Sequence, residues 1–257
     1  MADREKFQKK IDALKTHREK RVCPDHGEYE AFVLPGFGSE ILVQRCPKCI
    51  EIEQQQIKTE ARQHEIQQKL IGAGLQKREL DYSFDTFVAE TDDQKKALAV
   101  CQQFANSEVI FQKGSCLALF GGLGVGKTGL LASIVRRMIE RGLTVRYYVA
   151  DELYRDIKLT YHHTSKLTER ALMDQVCTFD VLLIDEIGLQ GGKSNEILTF
   201  SAILDMRYRK QLPTVLSSNM SESEIGGFLG NRTWERLRDN GKALQLTGES
   251  KRGRRTA

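Results

Sequence analysis

The sequence has no apolar run approaching the roughly 20 residues that a membrane-spanning helix needs. Its N-terminus, MADREKFQKK, is too polar for a signal peptide. No membrane partner is expected, and the cytoplasm is the expected location. Internal repeats and low-complexity tracts are absent too, which excludes a solenoid or a low-complexity scaffold. Neither sign of charge dominates: 39 Lys and Arg face 35 Asp and Glu, for a formal net charge of +4. That balance permits nucleic-acid binding without demanding it. In such a setting the six cysteines read as metal ligands or buried thiols, not as a disulfide framework.

At 257 residues, with 40% hydrophobic and 29% charged residues, the chain can bury one core of about 150 residues and carry a smaller unit beside it. A first part, residues 1–74, has two charged helical stretches around a cysteine-containing insert. Phe7, Ile11 and Leu14 recur at helical spacing, as do Ile57, Ala61 and Ile66 more loosely. Gly72 and Gly74 mark the expected hinge to a second part, residues 75–257. There, apolar runs at 115–120, 144–150, 181–187 and 214–218, and a weaker one at 243–247, alternate with helical stretches, and Asp151 is placed to cap the helix after the second. That order predicts an α/β fold with a parallel sheet flanked by helices.

The run GGLGVGKT supplies the glycine loop expected between the first of these strands and its helix. Gly121, Gly122, Gly124 and Gly126 leave the backbone free to wrap phosphates with its N–H groups, and the following helix adds its positive end. Lys127 would neutralise the β and γ phosphates of ATP, while the Thr128 hydroxyl would ligate Mg²⁺. The third strand, VLLIDEIG, ends in an acidic pair that is costly to bury unless it faces a site. Asp185 would hold Mg²⁺ through water, and Glu186 would polarise the attacking water. Asn219 closes the fourth strand where it can orient that water, although a turn-forming asparagine fits the same place. Arg232 and Arg236 share one face of a short helix, with Arg238 nearby. They read equally as solvated charge or as a source of an arginine finger for a neighbouring subunit.

Cys23 and His26 in CPDHG, then Cys46 and Cys49 in CPKC, form two short-spaced ligand pairs that suit a tetrahedral, structural Zn²⁺. The residues between them alternate apolar and polar side chains and predict a hairpin turning near 35–38. Cys101, Cys116 and Cys177 read as small buried hydrophobes. His162 and His163 read as solvated.

The ordered set GGLGVGKT, FDVLLIDEIG, VLSSNM and NRTWERLRD resembles the AAA+ ATPases of the DnaC helicase-loader family, in a group that also holds the IstB transposition helpers. RELDYSFDTF resembles that family's lead-in. The likeness covers about residues 75–248, and a zinc-binding N-terminal unit suits bacterial and phage members. It implies a P-loop AAA+ core, with Lys127, Thr128 and Asp185 at the nucleotide and its metal, Glu186 and Asn219 in hydrolysis, and Arg236 as the finger. Arg252 is a candidate second sensor arginine. The short stretch after the last strand leaves no room for the usual helical lid, which implies a switch-like ATPase. The implied function is ATP-dependent loading of a replicative helicase hexamer onto single-stranded DNA. The zinc unit would grip the helicase, and the ATPase domain would self-associate. The insertion at 151–180 is expected to form two helices, with Lys158, Tyr161 and Lys166 toward DNA. Two rivals remain: a transposition helper on duplex DNA, and a zinc-stabilised adaptor that uses ATP as a binding switch.

Overall fold

The computed structural model describes residues 17–35, 41–161, 165–166, 168–188 and 194–250. The helical stretch expected around Phe7, Ile11 and Leu14, residues His162 and His163, and Arg252 lie outside them. The chain divides into two compact units, 1–65 and 66–257.

In the first unit, β1 (His17–Cys23), β2 (Gly27–Pro35) and β3 (Ile41–Val43) form an antiparallel sheet in that order. The pairing Val33↔Val43 realises the expected hairpin. Strand β1, which pairs with β2 from His17↔Val33 to Cys23↔Gly27, is an addition to the expected architecture. Ala31 and Val33 are buried while Phe32 between them is exposed, the period-two alternation of a sheet with one covered face. Helix α1 (Pro47–Gly72) follows. It runs through residues 65 and 66, where the units divide, and ends at Gly72, the first residue of the expected hinge. Leu70, Ala73 and Leu75 are core residues of the second unit, so the division falls between residues 65 and 66, ahead of the Gly72–Gly74 pair.

The second unit holds a five-stranded sheet, all parallel, built from β4 (Cys116–Gly121), β5 (Val145–Val149), β6 (Val181–Ile187), β7 (Thr214–Ser218) and β8 (Gly241–Leu246) in the order β5-β6-β7-β4-β8. The expected strands are all present. Every residue of β4 and β7 is buried, as a sheet covered on both faces requires. Leu117 and Leu119 pack into one core with Leu130, Ile134 and Met138 of α4 (Lys127–Glu140). Cys116, Ala118 and Phe120 face a second core on the other side, shared with Trp234, Ile203 and Leu153. At about 25 cal/mol per Å² of apolar surface removed from water, each such leucine contributes roughly 1.5–3 kcal/mol.

Helix α2 (Asp92–Asn106) starts at a capping box made by Thr91 and Gln94, and a short α3 (Val109–Lys113) leads into β4. The insertion after β5 is two helices, as expected: α5 (Ala150–Leu159) and α6 (Glu169–Val176). The cap of α5 is Val149; Asp151 sits in the first turn and bonds Arg155 at 2.8 Å. Helices α7 (Ser194–Arg209), α8 (Glu222–Leu229) and α9 (Asn231–Asp239) complete the unit. Strand β4 has β7 on one side and β8 on the other, neither its neighbour in sequence. Ligands of open parallel sheets bind at the carboxyl ends of strands near such a point.

Candidate functional site

A cavity of about 740 Å³ opens at that edge, lined by Gly124, Lys127, Thr128, Asp185, Glu186 and Asn219 among others. The loop from β4 into α4 forms one wall. Gly124 and Gly126 have φ of +78° and +107°, a region that favours glycine. A Cβ at Gly126 would stand 2.8 Å from the Phe87 ring, so the lead-in residue Phe87 packs directly under the loop.

Lys127 is buried, and its Nζ donates to Gly121 O at 2.7 Å, Gly122 O at 2.8 Å and Asn219 Oδ1 at 2.7 Å. These three acceptors are neutral oxygens, and the lysine brings a positive charge to the loop that an anion would meet. The Asn219 amide nitrogen is the one buried side-chain polar atom without a partner among the described residues. Such a group is costly unless a ligand completes it. A cradle of glycines, a buried lysine and an orphaned N–H donor fit the phosphates of ATP.

Asp185 is 1% exposed, and its two oxygens collect four donors. Thr128 Oγ1 donates to Oδ2 at 2.8 Å and Tyr147 Oη to the same oxygen at 2.9 Å. On Oδ1 the donors are the Ser217 hydroxyl and the Glu186 N–H, the latter at 2.9 Å. The adjacent hard oxygens of Thr128 and Asp185 suit Mg²⁺, which takes few protein ligands and keeps several waters. Burial, then the negative charges of Asp185 and Glu79, push the Tyr147 hydroxyl pKa above the ordinary tyrosine range.

Glu186 is partly exposed at the cavity and has φ +61°, a left-handed conformation that costs a non-glycine residue. The β6–β7 register shifts between Ile184 and Ile187, a bulge that re-aims the side chain at the strand's end.

Arg236 is not among the residues lining the cavity. It is about three-quarters buried, donates to Asp205 Oδ1 on α7 at 2.6 Å, and sits 5.8 Å from the Tyr208 ring centroid. The Asp205 hydrogen bond raises its pKa. Arg238 pairs with Glu222, and Arg232 is exposed.

In the first unit, Cys23 ends β1, His26 lies in the turn before β2, and Cys46 and Cys49 flank the start of α1. Their ligand atoms lie within 4.8 Å of one another. Cys23 Sγ is 3.6 Å from His26 Nδ1 and 3.5 Å from Cys49 Sγ; Cys49 Sγ is 3.3 Å and Cys46 Sγ 3.9 Å from His26 Nδ1. Zn–S bonds of about 2.3 Å in a tetrahedron place ligand atoms roughly 3.7 Å apart, so the set fits Zn²⁺. A hydrogen bond from the Asp25 backbone lowers the Cys23 thiol to about 6, and the hydrogen bond with Cys23 raises Cys49 to about 11.

Tyr147, Ser217 and Phe87 were not foreseen at the nucleotide site. For Tyr147 a signal existed: a tyrosine inside a buried strand needs a partner for its hydroxyl.

Residues 49–257 match the family of IstB-like ATP binding proteins. A replicative helicase loader DnaC of Buchnera aphidicola subsp. Acyrthosiphon pisum is 30% identical over 184 residues, spanning 71% of this chain and 73% of that protein. The replicative helicase loader DnaC of Escherichia coli K12 is 27% identical over 183 residues, with the same coverage. Among solved structures, DnaI is 26% identical with a TM-score of 0.59, covering 70% of this chain and 95% of that one. This chain belongs to the IstB-like ATP-binding protein family and carries the AAA+ ATP-binding fold that it shares with the DnaC-type helicase loaders.

Proposed function

We propose that this protein is an ATPase that loads a replicative DNA helicase hexamer onto single-stranded DNA. The observation that carries the proposal is the similarity to proteins named replicative helicase loaders across some 184 residues, a span wide enough to include the whole nucleotide site. In this reading Lys127 and the amides of Gly121–Gly126 hold the phosphates. Thr128 and Asp185 face Mg²⁺, which supplies charge neutralisation at the β and γ phosphates when bound. Glu186 accepts a proton from the attacking water, and the free Asn219 N–H orients that water or the γ-phosphate. Arg236 serves the site of a neighbouring copy. The Cys23–His26–Cys46–Cys49 set holds a structural Zn²⁺, and residues 1–74 dock on the helicase.

Lys158, Tyr161 and Lys166, all exposed in or beside the insertion, are the DNA-facing candidates. Lys158 already lies 4.2 Å from the Tyr154 ring centroid, an arrangement of cation and aromatic face that single strands also exploit.

The family match favours one second reading, a transposition helper that binds duplex DNA. Co-purification of the full chain with replicative helicases, with and without ATP, tests the proposal. It should be followed by helicase loading onto DNA coated with single-strand-binding protein. Binding to a transposase and to no helicase offered would move the assignment to the transposition helper.

A further inference from the structure

An ionised carboxylate buried as deeply as Asp185 stands only if its oxygens are satisfied. Its four donors come from four elements: Thr128 from α4, Tyr147 from β5, Ser217 from β7 and the N–H of Glu186 from β6 itself. Two of these are compromised as anchors. Thr128 would turn to the metal when Mg²⁺ and nucleotide were bound, and the Glu186 amide belongs to a residue at φ +61° where the β6–β7 register shifts. The hydroxyls of Tyr147 and Ser217 remain, one on each oxygen, from the strands on either side of β6.

We propose that Tyr147 and Ser217 are positioning residues that clamp the Asp185 carboxylate in the orientation Mg²⁺–nucleotide binding requires. The inference rests on the reading of Asp185 as the metal-facing residue. Both side chains are themselves fixed. Tyr147 is 2% and Ser217 1% exposed, and the Tyr147 N–H donates to Ala73 O at 2.8 Å, tying β5 to the segment that follows α1. Each hydroxyl uses one lone-pair direction of its oxygen; the other direction on Oδ2, which Thr128 occupies here, would pass to a metal-bound water once Thr128 turned to the metal. Losing either frees the carboxylate to rotate away from Thr128.

The test is a Mg²⁺ titration of fluorescent ATP-analogue binding to full-length Tyr147→Phe and Ser217→Ala, with Asp185→Asn as reference. The Mg²⁺ concentration at half-saturation should rise about tenfold in each variant, while affinity in EDTA changes less than about twofold, as for partners that orient metal ligands. Ser217→Thr, which restores a hydroxyl, should return toward the parental curve. Parental curves for Tyr147→Phe and Ser217→Ala, with Asp185→Asn displaced, would overturn the clamp. An Asp185→Asn curve that overlays the parent would instead remove the metal-facing reading and the clamp with it. Should Tyr147→Phe fail to fold, the Ser217 pair decides alone: an unshifted Ser217→Ala overturns the proposal.

Discussion

Lys127 Nζ donates to Asn219 Oδ1 at 2.7 Å and so fixes an amide whose buried N–H has no partner among the described residues. The two residues therefore separate binding from turnover. Lys127→Ala should abolish ATP binding, measured with a fluorescent analogue, because the lysine charge that would compensate the β and γ phosphates at the loop is gone. Asn219→Ala should bind ATP and lose about 10²-fold in hydrolysis, the usual scale for removing one donor aimed at developing charge. Unchanged hydrolysis in Asn219→Ala would leave the free N–H without a catalytic role.

Glu186→Gln should keep nucleotide affinity and lose 10²- to 10⁴-fold in the rate of phosphate release, the range for a positioned general base. The amide preserves shape and the φ +61° backbone, so a folded protein is expected. Parental turnover would remove Glu186 from the chemistry.

The glycine loop of the candidate site was legible because Gly121 to Thr128 form one contiguous run between a strand and a helix. Asp185 and Asn219 could be placed at the cavity for a related reason: Asp185 follows the apolar run of β6 and Asn219 directly follows β7, at the carboxyl ends of neighbouring strands. Tyr147 and Ser217 were not, because each meets Asp185 only through the lateral order β5-β6-β7, which no spacing in the chain encodes. Strand β1 was missed because HREKRVC is mostly charged and lacks the apolar alternation of a half-buried strand. The Gly72–Gly74 pair looked like a hinge, yet Ala73 between them is buried and bonded to β5, and a Cβ at Gly74, though not at Gly72, would collide with the Tyr147 carbonyl.

Arg207 on α7 is fully buried, and its hydrogen bonds among the described residues go to neutral oxygens. Its guanidinium donates to the carbonyls of Val176, Phe179, Asp180 and Pro213 and to the Thr214 hydroxyl. Burial lowers its pKa to about 10, which leaves it charged at neutral pH. Arg207→Met would strand those acceptors at the start of β6 and β7 and should cost about 3–5 kcal/mol in urea unfolding. Arg207→Lys should recover part of that, since an ammonium has three donors and no planar fork. A loss below about 1 kcal/mol for Arg207→Met would show that water satisfies the carbonyls.

Elemental analysis should find one zinc per chain. Cys46→Ser and Cys49→Ser should each lose it and expose the first unit to limited proteolysis, because a three-stranded sheet this small depends on the metal for folding energy. Nucleotide binding should persist, since the P-loop lies wholly in the second unit. A metal-free preparation with an unchanged proteolysis pattern would defeat the structural role.

Arg236 is held by Asp205 and Tyr208 on α7, with its side chain about three-quarters buried and away from the residues that line its own cavity. A partly exposed ion pair of this kind contributes about 1 kcal/mol or less to stability, so Arg236→Ala should fold and bind ATP normally. If the arginine completes the site of an adjacent copy, hydrolysis should fall about 10³-fold or more, the scale of an arginine finger. Mixing decides where it acts. Lys127→Ala lacks a working P-loop but presents Arg236; Arg236→Ala presents a working P-loop and lacks the finger. Together they should regain part of the parental rate, rising with protein concentration as copies associate. Asp205→Ala gives an independent reading: it should alter the rate of the parental assembly without changing nucleotide affinity, because it releases the guanidinium from its resting partner. No recovery in any mixture of the folded variants, with Asp205→Ala at the parental rate, would leave Arg236 as a tie between α9 and α7.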